Sequence, residues 1–221
     1  MLNLSKPILY LITRGATDET TTTESAEFHQ LLEQFSAAIT AGIQLIQIRE
    51  KRLTSRVLFE LTSRAVSITQ GTATRVLVND RADIAAGAGA DGVHLTTHSL
   101  EAAVVREAFG DEFLIGSSTH SFEEARGARE DGADFIVFGP VFETPSKKKD
   151  GPPLGLQALS NVADELAPFP VMALGGITIN NAAECLRAGA SGIAGISLFS
   201  EPKSLATVAT VIKQSGKAVA S

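Results

Sequence analysis

Ala41-Gly42-Ile43-Gln44-Leu45-Ile46, Ala88-Gly89-Ala90-Asp91-Gly92-Val93, Asp131-Gly132-Ala133-Asp134-Phe135-Ile136 and Ala188-Gly189-Ala190-Ser191-Gly192-Ile193 are four copies of one pattern. In each, a helical stretch stops at a glycine and a short apolar strand follows. The residue that closes a helix in this way sits at positive φ, where glycine carries no Cβ penalty. Helix-to-strand junctions repeated without adjacent strand runs imply parallel strands joined by crossover helices. Such a fold gathers its chemistry on the loops that leave the C-terminal ends of the strands.

Working outward, Pro7 to Ile12, Gln44 to Arg49, Arg75 to Asn79, Gly92 to Leu95, Phe113 to Ser117, Phe135 to Gly139, Pro170 to Leu174 and Gly192 to Ser197 read as strands. Between them, helical spacing or caps place helices at Glu27 to Thr40, from the Thr54 cap to about Gln70, Arg81 to Gly87, Ser99 to Phe109, Phe122 to Glu130, Leu156 to Leu166, Asn180 to Arg187 and Lys203 to Gln214. The polar segment Thr13 to Ser25 reads as a mobile loop. Eight alternating units in 221 residues predict a single α/β domain over 1–221, a compact (β/α)8 TIM barrel. An open doubly wound sheet is the alternative, because pattern alone does not show closure.

A net charge of −6 argues against a general nucleic-acid binder and leaves room for a local basic pocket. The single cysteine, Cys185, excludes an intrachain disulfide and reads as a buried small residue on a helix. With no signal peptide, spanning stretch or lipidation motif, the expectation is a cytoplasmic protein without membrane association. Apolar helix faces leave a homodimer open.

The strand ends supply candidate chemistry. Leu174-Gly175-Gly176-Ile177 and Gly195-Ile196-Ser197 end strands seven and eight, where barrels commonly hold phosphate on backbone N–H groups. The alternative for the glycine pair is a tight turn. Alternation along Gln47-Ile48-Arg49-Glu50-Lys51 points Gln47, Arg49 and Lys51 to one side, which suits a polyanion; a surface ion-pair cluster with Glu50 is equally compatible. Asn79-Asp80 at the end of strand three would hold Mg2+ beside substrate oxygens or cap the following helix. His120 titrates near neutrality and can move protons, whereas His29, His94 and His98 read as packing residues. The run Lys147-Lys148-Lys149 is solvated by default, yet one lysine on that loop can close on a phosphate.

Seven stretches, in order from about residue 8 to residue 200, resemble the thiamin phosphate synthase/TenI family: Tyr10-Leu11-Ile12-Thr13, Gln47-Ile48-Arg49-Glu50-Lys51, Val78-Asn79-Asp80-Arg81, Ala90-Asp91-Gly92-Val93-His94-Leu95, Ser118-Thr119-His120, Gly139-Pro140-Val141-Phe142 with Thr144 and Lys147, and Leu174-Gly175-Gly176-Ile177. In the synthase branch an aminopyrimidine pyrophosphate ionises and the nitrogen of a thiazole phosphate captures the cation. The resemblance implies that Arg49, Lys51, Asn79 and Lys147 hold pyrophosphate and that Asp80 binds Mg2+. It further implies that Gln47, Ser118, Thr144 and Ser146 line the pyrimidine and pyrophosphate site, while Gly176 and Ser197 bind thiazole phosphate, with Gly175 and Ile196 as the strand-end phosphate candidates beside them.

The departure follows strand four. The synthase pattern there, His-apolar-Gly-Gln-x-Asp, ends on a second metal ligand, whereas this chain reads His94-Leu95-Thr96-Thr97-His98-Ser99. The TenI branch relocates a proton on a thiazole phosphate carboxylate and uses no metal; its proton-transfer residue matches His120, and Ser118 and Lys147 stand with it as catalytic candidates. A lost metal carboxylate is harder to compensate than surplus cations, so a TenI-like thiazole tautomerase without cofactor is the first expectation. The alternative is a Mg2+-dependent thiamin phosphate synthase, and a further one is a non-catalytic binder of the same phosphate ligands.

Overall fold

A computed structural model of the chain describes residues 4–144 and 152–219. Its strands are β1 (Ile8–Ile12), β2 (Leu45–Ile48), β3 (Arg75–Asn79), β4 (Gly92–Leu95), β5 (Leu114–Thr119), β6 (Phe135–Phe138), β7 (Val171–Ala173) and β8 (Gly192–Gly195). They alternate with helices α1 (Ala26–Thr40), α2 (Ser55–Thr69), α3 (Ala82–Gly87), α4 (Ala102–Phe109), α5 (Phe122–Glu130), α6 (Gly155–Leu166), α7 (Ala182–Arg187) and α8 (Leu205–Val219). Every strand pairs in parallel with the next and β8 returns to β1, so the sheet is a closed (β/α)8 barrel rather than an open one.

The four glycine stops share one geometry. Gly42, Gly89, Gly132 and Gly189 have φ of 68°, 74°, 91° and 92°. At each, the glycine N–H returns to the carbonyl three residues back and the next N–H to the carbonyl five back, as in Gly42 to Ile39 and Ile43 to Ala38. This is the Schellman closure, which satisfies carbonyls left open at the helix end. All four stops precede even-numbered strands, and the residue just before three of those strands ties the barrel floor together. Gln44 Oε1 accepts from Leu9 N at 2.9 Å, Asp91 Oδ2 from Val76 N at 2.7 Å and Asp134 Oδ2 from Ile115 N at 2.9 Å.

Strand residues facing out pack beneath the helices, and a burial of this kind contributes roughly 1.5–3 kcal/mol per large side chain. Those facing in, among them Ile8, Tyr10, Ile12, Leu45, Leu77, Phe135, Val137, Met172 and Ala194, fill the barrel as a second cluster. Gly116 makes room for its aromatic centre, because a Cβ there would lie 2.7 Å from His94 Nδ1. Cys185 is fully buried on α7, with its thiol pushed up to about 12 mainly by burial. No helix among the described residues is long and apolar enough to cross a membrane.

The fourth helix starts at Ala102, not Ser99, because the Ser99 hydroxyl is engaged by Thr96 N (2.6 Å) and by Asp80. In the Thr13–Ser25 segment Thr13, Thr17 and Thr21 are buried, while most of the other residues are exposed.

Candidate active site

The rim at the C-terminal ends of the strands is assembled from Thr13, Gln47 to Lys51, Asn79, Asp80, Ser118, His120, the β6 loop, Gly175, Gly176, Ile196 and Ser197. Gln47 is buried inside the barrel, as alternation requires of the neighbour of Ile48. Arg49 follows the strand and is half-buried. Its N–H donates to Thr13 Oγ1 at 2.8 Å, while Thr13 N–H donates to Gln47 O at 3.0 Å, so a threonine side chain extends the β1–β2 ladder by one rung and places Arg49. Lys51 does not continue the alternation: it lies exposed in the turn that follows.

Glu50 is not part of a surface ion-pair cluster. It is 3% exposed, and its carboxylate accepts from Gly15 N (3.0 Å), Thr17 N (3.1 Å) and Thr17 Oγ1 (2.6 Å). The loop after β1 is therefore bolted to the end of β2, beside Arg49.

Beneath the mouth runs a buried polar chain. Gln47 Nε2 donates to Tyr10 Oη at 3.1 Å, Tyr10 Oη meets His94 Nδ1 at 3.2 Å, and His94 Nε2 meets Ser118 Oγ at 2.9 Å. Tyr10 packs edge-on to Phe135, with ring centroids 5.6 Å apart at 84°. Burial, reinforced by the nearby Arg49 charge, lowers the His94 pKa to about 3, so the imidazole is neutral at physiological pH. Burial also raises the Tyr10 hydroxyl well above its ordinary value, opposed by the hydrogen bond from Gln47. His94 packs against Tyr10 and Phe135 and also links Tyr10 to Ser118, a connection hidden from the sequence because those partners lie 84 and 24 positions away.

Asp80 caps β3 with φ of 62°, a left-handed conformation that aspartate adopts more readily than most residues. One carboxylate oxygen accepts from Asn79 Nδ2 at 3.0 Å and the other from Ser99 Oγ. Among the described residues no group of three or more His, Cys, Asp or Glu side chains could hold a metal ion. A resident Mg2+ does not fit this set. A Mg2+ that arrives with a diphosphate does, since that ion commonly takes one carboxylate and completes its shell with phosphate oxygens and water.

Across the ring, Gly175 and Gly176 have φ of 97° and 65°. A Cβ on Gly175 would lie 2.5 Å from Pro140 Cβ, and one on Gly176 would lie 2.7 Å from Phe142 Cβ. The β6 loop is laced onto this turn by Val141 N–H to Leu174 O (2.8 Å) and Phe142 N–H to Gly175 O (3.0 Å). Asn181 holds its far side, donating to Gly176 O at 3.1 Å and accepting from Thr178 N at 2.7 Å. Ile196 packs on the barrel interior, and Ser197 opens a short 3-10 turn, Ser197–Phe199, on the neighbouring strand end.

His120 sits on the same rim but is turned outward. Its Nδ1 donates to Gly139 O, its N–H donates to Glu124 Oε2 at 2.6 Å, and its side chain lines a largely apolar cleft with Phe122, Phe138, Ala158 and Val162 between α5 and α6. Thr144 is half-buried on the β6 loop. Ser146 and Lys147 lie outside the described residues.

Closed topology and a polar rim define a (β/α)8-barrel enzyme with its chemistry on the C-terminal loops. The family model described as thiamine monophosphate synthase matches residues 9–199, and the chain belongs to that family. It is similar to the thiamine-phosphate synthase of Roseiflexus castenholzii, 37% identical over 194 residues that cover 88% of this chain and 85% of that one. It is also similar to the thiamine-phosphate synthase of Anaeromyxobacter dehalogenans, 45% identical over 158 residues that cover 72% and 70%. Among solved structures, the thiamine phosphate pyrophosphorylase from Pyrococcus furiosus superposes with a TM-score of 0.77 at 30% identity, covering 97% of both chains. The chain is accordingly an enzyme of the thiamin-biosynthetic family, and these relatives favour the coupling reaction over the tautomerase expected first.

Proposed function

We propose that this chain is a thiamin phosphate synthase, which joins an aminopyrimidine diphosphate to a thiazole phosphate and releases diphosphate. Two anion-suited sites on one rim carry the reading: Arg49 with Asn79 and Asp80 at β2 and β3, and the Gly175–Gly176 turn at β7 beside Ser197 at β8. A tautomerase acting on one phosphate ester has no use for the first of them.

In this reading Arg49 forks onto the diphosphate, with Lys51 and Asn79 beside it and Lys147 as a further cation. Gln47 and Ser118 orient the pyrimidine with Thr144 at its edge, and the N–H groups of Gly175, Gly176 and the Ile196–Ser197 turn hold the thiazole phosphate. The C–O bond to the diphosphate breaks with its electron pair on the leaving oxygen, and the thiazole nitrogen lone pair forms the new C–N bond. Positive charge at Arg49 stabilises the charge developing on the leaving group. The packed floor of Tyr10, His94 and Phe135 keeps water from approaching the cation from below. Asp80 would hold a Mg2+ that arrives with the diphosphate, and the ion would supply further positive charge to the departing group.

The remaining tautomerase case rests on His120, whose Nδ1 is committed to Gly139 O. Incubating the enzyme with both substrates and Mg2+ should yield thiamin phosphate and diphosphate in equal amounts. Absence of product, with loss of the thiazole tautomer that persists in EDTA and vanishes in His120→Ala, would instead establish the tautomerase.

A further inference from the structure

The buried chain Gln47–Tyr10–His94–Ser118 has two ends at the mouth and a fixed sense between them. Gln47 Nε2 donates to Tyr10 Oη, and a tyrosine hydroxyl has one proton to pass on. That proton goes to His94 Nδ1, so the neutral imidazole carries its own hydrogen on Nε2. Nε2–H then donates to Ser118 Oγ, which leaves the serine proton directed away from His94. No donor among the described residues reaches Gln47 Oε1, and no acceptor takes the Ser118 proton. The ends are therefore opposite in kind: an acceptor at Gln47 and a donor at Ser118.

We propose that Tyr10 and His94 are positioning residues that lock this polarity and so select a ring offering a donor to Gln47 and an acceptor to Ser118. Resting on the synthase reading, this names the selected feature of the substrate: an exocyclic amine with an unprotonated ring nitrogen. The oxo analogue, in which the amine becomes a carbonyl and a ring nitrogen gains hydrogen, presents the reverse pattern and meets acceptor with acceptor and donor with donor. Neither residue needs to touch the reacting atoms. Reversing one link reverses all of them, because each member has a single proton to give along the chain.

Tyr10→Phe keeps the edge-on packing against Phe135 and removes only the hydroxyl that couples Gln47 to His94. With the full-length enzyme, the variant should raise KM for the aminopyrimidine diphosphate about tenfold and reduce the preference for it over the oxo analogue by a similar factor, with kcat changed less. A loss of packing alone would not alter that preference. The direct observable is the His94 ring nitrogens by 15N NMR: wild type shows the Nε2–H tautomer alone, and Tyr10→Phe shows a mixture. An Nδ1–H tautomer in wild type, or an unchanged preference in the variant, overturns the proposal. A wild type that shows the Nε2–H tautomer yet makes no thiamin phosphate upholds the polarity and overturns the synthase reading, which keeps the two failures apart.

Discussion

The Ser99 hydroxyl donates to the Asp80 carboxylate where the synthase pattern carries a second acidic side chain. A neutral donor in place of an anion gives a cation at Asp80 no second formal charge from position 99 and ties one carboxylate oxygen to the protein. Ser99→Asp sets two carboxylates side by side. At an effective dielectric near 20, charges about 4 Å apart interact by about 4 kcal/mol, so the variant should be less stable in EDTA and regain stability with Mg2+. Its Mg2+ half-saturation in the coupling reaction should fall at least about tenfold below wild type. A melting temperature insensitive to Mg2+ in the variant would show that Asp80 is not a metal position.

Glu50 places a second expectation on stability. Its buried carboxylate accepts three hydrogen bonds from Gly15 and Thr17, and no cation pairs with it among the described ion pairs. Glu50→Gln removes the charge and turns an N–H2 toward backbone N–H donors. Charge-assisted bonds of this kind contribute about 1.5–3 kcal/mol each and act together here, so urea unfolding should register a loss of about 2–3 kcal/mol. Limited proteolysis should cut the 13–25 loop faster in the variant than in wild type.

Local demands were readable in the sequence, and long-range ones were not. Gly42, Gly89, Gly132 and Gly189 declare themselves because a positive φ at a helix end is a local requirement, and from them the alternation and then the barrel follow. Gln47, Asn79, Ser118, Gly176 and Ser197 are legible as strand ends on one rim. Ser99 misleads as a helix cap because its partner, Asp80, is 19 residues away. The hydrogen bonds of Glu50 and His94 were hidden for the same reason: their partners lie 33 to 35 and 24 to 84 residues off. An adjacent Arg49 suggested an ion pair, while the fold turns the carboxylate onto Gly15 and Thr17.

The depressed His94 pKa, about 3, gives stability a pH dependence of definite sign. The unfolded imidazole has a pKa near 6.5, so between those values the unfolded chain binds the extra proton. Stability is full above about pH 6.5 and is lost as the pH falls toward 3, with a slope of up to about 1.4 kcal/mol per unit. Between neutrality and about pH 5 the loss from this group is about 2 kcal/mol. His94→Gln keeps a donor toward Ser118 and has nothing to titrate, so its unfolding free energy should fall less over that range. Parallel pH profiles for the two proteins would mean that His94 is not held neutral by the barrel.

Gly176→Ala tests the anion cup by sterics rather than charge. The added Cβ would stand 2.5 Å from Glu143 O and 2.7 Å from Phe142 Cβ, at a φ of 65° that alanine resists. Relief comes from moving the β6 loop or rotating the peptide, and either shift displaces the N–H groups proposed to hold the thiazole phosphate. The backbone conformation alone costs on the order of 1–3 kcal/mol, which a melting curve will register. With the diphosphate assigned in the proposed function to Arg49 and Asn79 across the ring, the damage should divide unequally between substrates. KM for thiazole phosphate should rise at least about tenfold while KM for the aminopyrimidine diphosphate changes by less than about threefold. Equal increases in both would place the thiazole phosphate elsewhere on the rim.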